Sequence, residues 1–212
     1  MAALHDDAPN GCSPAATALS APDRNPGPES RPVQVLVLGL GNRLLGDDAA
    51  GPLAIDALAD QPAPAGHSVC WRDGGTLGLS LLPEIEAADL LIVVDAARFG
   101  AEPGTVRVFE GAAMDAQLGG RKHSAHELAL GDLLGASALI GRLPPRRALV
   151  AVEPASTAVG LALSAPVSRA FAPLCEAVRR TLTGWAGAAP AAEPRIPDGR
   201  PHGREECVDE TR

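Results

Sequence analysis

The apolar positions of this chain fall into two kinds of run. Val33 to Leu38, Leu90 to Val94 and Ala148 to Val152 are short and almost continuously aliphatic, and they end at Gly39, Asp95 and Glu153. Runs apolar on both sides indicate parallel strands covered by helices above and below. His67 to Trp71 is a weaker fourth run. Thr105 to Phe109 alternates polar and apolar positions after the turn at Gly104, as an antiparallel edge strand does. Segments with helical spacing lie between these runs. Pro52 to Ala59 places proline in a first turn and sets Leu53, Ala57 and Leu58 on one face. Ser124 and Glu127 form a capping-box pair opening a helix to about Ile140, with Gly141 as its stop. A last helix follows Ser164 and Pro166, carries Val167, Phe171, Leu174, Val178 and Leu182, and bends at Pro173. The expected fold is α/β: a three-layer α/β/α sandwich around a mostly parallel five-stranded sheet, with one edge strand antiparallel.

No hydrophobic period runs through residues 1–32, where proline alternates with Ala, Ser, Asp and Asn, nor through residues 186–212. These read as a disordered leader and a disordered tail around one folded unit, residues 33–185. Composition agrees with a packed core, at 46% hydrophobic and 21% charged residues. With three Phe, two Trp and no Tyr, the core is aliphatic and offers no stacking platform for bases. The net charge of −8 repels phosphate backbones, so nucleic acid is excluded as a partner. No apolar run approaches the roughly 20 residues that span a bilayer, and the start lacks a signal-peptide pattern. The expectation is a cytoplasmic protein with no membrane partner. Cys12, Cys70, Cys175 and Cys207 are scattered without a CxxC pair, so they read as reduced and structurally incidental. Cys70, close to the end of an inner strand, reads as packing rather than as a nucleophile.

The first strand runs into Gly39-Leu40-Gly41-Asn42-Arg43-Leu44-Leu45-Gly46-Asp47-Asp48. A dinucleotide fingerprint fails here, because Leu44 stands at the third glycine position and two acids stand where a pyrophosphate would sit. A phosphate-binding GxxxxGK[ST] loop is excluded too, since Lys122 is the sole lysine. Asp47 and Asp48 read either as helix caps or as ligands. Position favours ligands at Asp48: it lies just beyond the carboxyl end of the first strand, Asp95 ends the strand Leu90 to Val94, and His126 opens the helix after Ser124. Crevices outside the carboxyl ends of parallel strands are where such sheets bind ligands. Two carboxylates and an imidazole there suit a divalent metal with open positions. Asp73, in the loop Asp73-Gly74-Gly75-Thr76 between the second strand and a helix containing Leu77 to Leu82, caps a turn or adds a third carboxylate. A zincin is excluded because Leu130 stands where HExxH needs its second histidine, and no GxSxG elbow supports a nucleophilic serine.

Six motifs in order, GLGNRLLGDD, DGGT, LLIVVDA, PGTVRVF, SAHELALGDLL and the strand ending Val152-Glu153-Pro154, resemble those of the nickel–iron hydrogenase maturation endopeptidases. The resemblance runs from about Val35 to Leu182. It implies metal ligands at Asp48, Asp95 and His126, and a further catalytic or substrate-binding role for Asp73. It also implies a substrate: the precursor of a nickel–iron hydrogenase large subunit, already loaded with nickel, from which a C-terminal peptide is removed. Nickel would then arrive with the precursor. The chain departs from the family pattern at Ala49, where Gly is frequent, and at Glu153, where Gln is frequent. Two other readings of the same residues are a docking protein that senses nickel loading without cutting, and a nucleotide-binding module built on Gly39 and Gly41.

Overall fold

The computed structural model describes residues 31–75, 79–119 and 125–187, without the side chains of residues 79 and 125–129. Thr76, Ser124 and most of the expected leader and tail lie outside the described residues. Five strands form one sheet: β1 (Val33–Leu40), β2 (His67–Gly75), β3 (Leu90–Ala96), β4 (Val106–Glu110) and β5 (Arg146–Val152). They stand in the order β2-β1-β3-β5-β4. The β1, β2, β3 and β5 pairings are parallel, and β4 runs antiparallel to β5, as its alternation predicts. The helices are α1 (Ala50–Leu58), α2 (Leu82–Ala87), α3 (Ala112–Gly119), α4 (Ala125–Leu139) and α5 (Ala165–Ala186).

Side chains alternate across a strand, and here each side meets its own helices. Val35, Val37, Ile92, Val94, Val150 and Val152 pack with Ile55 and Leu58 of α1 and with Leu174 and Val178 of α5. Leu36, Leu38, Leu91, Val93 and Leu149 pack on the other face with Ile85 of α2, Met114 of α3, and Leu130 and Leu134 of α4. All seven residues of β3 are buried, as a central strand covered on both faces requires. The three layers of the expected sandwich are therefore present.

Several details differ from the sequence reading. The face that α1 buries is Gly51, Ala54, Ile55 and Leu58, while Leu53 is half-buried and Ala57 exposed. A stripe at spacings of three and four that includes Gly51 brings the helix backbone onto the sheet, which turns Leu53 and Ala57 to the flank. A Cβ on Gly51 would lie 2.2 Å from the Leu40 carbonyl oxygen and 2.4 Å from that of Val94, so only glycine fits between the helix and the ends of β1 and β3. β2 is an edge strand rather than an inner one, and Cys70 on it is exposed. It also reaches through Asp73, Gly74 and Gly75, which were expected in a loop. Asp73 pairs with Gly39, and Gly75 with Leu40 after a register shift, so the neighbouring strand extends β2 where local composition argues for a turn. Of the helix expected over Leu77 to Leu82, the first two residues lie outside the described ones, and Leu79–Leu81 form a 3-10 turn that leads into α2. Helix α3 has no sequence counterpart: Met114 and Leu118, four apart, anchor an otherwise small and polar segment.

Candidate active site

The parallel strands end together at one rim of the sheet. Gly39 of β1 stands between Asp73 of β2 and Val94 of β3, so Asp95, the next residue, comes at the carboxyl end of the strand adjoining β1. Asp95 pairs with Ala151 of β5, and Glu153 leaves β5 two residues later. Asp48 arrives from a 3-10 turn, Gly46–Ala49, that packs against β3 and runs directly into α1. Both Asp48, 4% exposed, and Asp95, 2% exposed, are buried at this rim. The Asp48 carboxylate accepts the Asn42 N–H at 2.7 Å, which closes the glycine turn on itself. Gly41 makes that closure possible. Its φ is +125°, and a Cβ there would lie 1.8 Å from the Asp48 carbonyl oxygen.

The capping reading of the acid pair fails. Neither the 3-10 turn nor α1 is capped by a side chain, and both acids lie inside the turn rather than before it. Asp47 is fully buried and reaches across to the chain after β5. Its carboxylate accepts the N–H groups of Ala155 at 2.8 Å, Ser156 at 3.0 Å and Ser164 at 2.6 Å, and the Ser164 hydroxyl at 2.8 Å. Burial alone pushes this carboxyl up. The donors from Ser156, Ser164 and Ala155 together outweigh it and hold the group below the usual carboxylate range.

Asp73 stands on the far side of β1 from Asp95 and is half-buried. One oxygen accepts the Gly75 N–H at 2.9 Å, and the other accepts Arg43 Nε at 3.0 Å and Nη2 at 2.8 Å. Arg43 also grips both oxygens of Asp56 on α1, at 2.7 and 2.9 Å, and donates to the Pro52 carbonyl at 3.3 Å. Asp56 and then Asp73 hold the guanidinium firmly protonated, and Arg43 in turn holds Asp56 below its ordinary value. The arginine thus strings the glycine turn to α1 and to the end of β2. Glu153 fastens another segment: its Oε2 accepts the N–H groups of Phe99 at 2.8 Å and Ala101 at 3.1 Å, fixing the chain that leaves β3.

Of the residues proposed from sequence, the structure brings Asp48 and Asp95 to the ends of adjacent strands and leaves Asp73 one strand away, paired to Arg43. His126 is the second residue of α4, and its side chain lies outside the described residues. Among the described residues no group of three or more His, Cys, Asp or Glu is placed to hold a metal ion. Local reasoning missed Asp47, Glu153 and Arg43 as structural fasteners. Glu153 did carry a signal, since it closes a fully apolar run just as Asp95 does.

Residues 53–181 match the family model described as hydrogenase maturation protease. This chain belongs to the hydrogenase maturation protease family. The match contains Asp73, Asp95, His126 and Glu153, with the acid pair just ahead of it. A hydrogenase expression/formation protein, HupD of Rhizobium leguminosarum bv. viciae, is 35% identical over 79% of this chain and 82% of its own length. HupD of Rhodobacter capsulatus is 39% identical over 60% of each chain, so the match spans less than two thirds of that relative. The solved hydrogenase maturating endopeptidase HybD from E. coli superposes with a TM-score of 0.66 at 33% identity, covering 72% of this chain and 94% of that one. The family expected from the six sequence motifs is the family found, and it is one of hydrolases. Among the described residues no helix is long and apolar enough to cross a membrane.

Proposed function

We propose that the chain removes the C-terminal extension of a nickel–iron hydrogenase large-subunit precursor after nickel insertion, and that it does so in the cytoplasm. One observation carries the reading: in a member of this protease family, two acids, Asp48 and Asp95, are buried at the carboxyl ends of adjacent parallel strands, where such sheets receive ligands. Nickel is cargo of the precursor. Asp48, Asp95 and His126 are the side chains assigned to meet it, an oxygen and imidazole set of the kind that divalent nickel accepts. Asp73 is assigned a catalytic or substrate-contacting role at the same rim, held in place by Arg43. The reaction is hydrolysis of one peptide bond: water adds to the carbonyl carbon, the C–N bond breaks, and the leaving amine takes the proton.

The test is to incubate the purified protein with nickel-loaded and nickel-free precursor and to weigh the products intact. Loss of a C-terminal peptide from the loaded form alone is the expected result. A loaded precursor of unchanged mass overturns the reading.

A further inference from the structure

The turn carrying Asp48 shares its rim with the chain that leaves β5. The Gly160 N–H donates to the Leu44 carbonyl at 2.9 Å, and the Gly46 N–H donates to the Gly160 carbonyl at 2.8 Å, a small parallel bridge beside Leu45. Asp47 fastens the same loop at Ala155, Ser156 and Ser164 through its carboxylate, and its own N–H donates to the Ser156 carbonyl at 3.1 Å. The loop is therefore held at its start, its middle and its end. What it displays is apolar: Leu44 is 59% exposed, Val159 88% and Leu161 80%. All three belong to or directly flank the residues joined by the bridge. Solvated aliphatic side chains gathered on a fixed support mark an interaction surface.

We propose that Leu44, Val159 and Leu161 form the docking surface for an apolar side chain on the polypeptide segment that the protease cleaves. The proposal rests on the endopeptidase reading above. The size of the patch selects the occupant. A stable dimer buries about 800 Å² per partner through some 20–30 residues a side, whereas three side chains suit a single strand of polypeptide. Its position agrees, because Leu44 and Asp48 share one closed turn, so a segment seated here runs beside the buried acids. The chain's net charge of −8 disfavours polyanionic occupants.

The experiment measures steady-state cleavage of nickel-loaded precursor by the full chain, by a Val159→Asn/Leu161→Asn double variant and by Leu139→Asn. Leu139 is exposed at the end of α4, which leads to the opposite end of the sheet. The double variant is expected to raise KM about ten-fold or more with kcat within two-fold, at an unchanged thermal midpoint, while Leu139→Asn leaves both constants alone. An unchanged KM, a loss confined to kcat, or an equal rise in the Leu139 variant overturns the proposal. Sedimentation is run alongside, and self-association that the double variant abolishes without altering KM assigns the patch to a second copy and also overturns it. Should the wild type cleave nothing, the endopeptidase reading fails separately. Calorimetric binding of the precursor then decides the docking surface: weaker binding by the double variant supports it and equal binding overturns it.

Discussion

The carboxylate of Asp47 accepts both the N–H and the hydroxyl of Ser164, at 2.6 and 2.8 Å, although the residues stand 117 positions apart. Ser164 is the N-cap residue of α5, yet its hydroxyl is turned away from the helix to the acid. A single buried charge thus joins the turn after β1 to the start of the last helix.

Asp47→Ala removes the acceptor shared by four part-buried donors, the N–H groups of Ala155, Ser156 and Ser164 and the Ser164 hydroxyl. Hydrogen bonds to charged groups contribute about 1.5 to 3 kcal/mol each, and water reaching the loop takes over part of that loss. Urea unfolding is expected to show a loss of about 3 kcal/mol or more. A loss below about 1 kcal/mol would mean that water or a rearranged loop replaces the carboxylate.

Asp48→Ala, Asp95→Ala and His126→Ala are each expected to abolish precursor processing while the far-ultraviolet dichroism stays that of the parent. Intact-mass analysis of the precursor reads the first property. Normal cutting by all three variants would remove these residues from the site.

Gly51→Ala sets a methyl group against the carbonyl oxygens of Leu40 and Val94, both backbone atoms of the sheet. Overpacking of this kind costs about 1 to 3 kcal/mol, and more where nothing can yield. The expected outcome is a lower thermal midpoint with loss of cleavage, since α1 cannot lift without carrying the Asp48 turn with it. A variant as stable and active as the parent would show that the helix seats elsewhere.

Burial among the α1 and α5 side chains raises the Cys175 thiol pKa, against a smaller opposing pull from Arg179. Because the folded-state value lies above the unfolded one, stability from this group is complete below the unfolded thiol pKa, about 8.5, and declines as pH rises above it. Alkylation at pH 8 with peptide mapping is expected to label exposed Cys70 readily and Cys175 only after unfolding. Equal labelling of the two in the folded protein would contradict the burial.

The three aliphatic runs and the alternating edge segment were legible because strand burial is written at period two or as a continuous run. Asp95 was legible for a related reason, as an acid that closes such a run. Asp47 was not, because its partners lie more than a hundred residues away and its neighbour Asp48 has the same local chemistry. The inward face of α1 was misread because glycine contributes to it by having no side chain, which a search for apolar spacing does not register. The end of β2 was misread because pairing with β1 outweighs the turn tendency of two glycines.

At the end of β5 a single oxygen of Glu153 accepts two amide N–H groups, those of Phe99 and Ala101, from the chain leaving β3. A side-chain amide has one such oxygen as well. What this position requires is therefore a lone pair at a fixed reach, and Glu153→Gln would alter the charge of the rim without loosening the segment it secures.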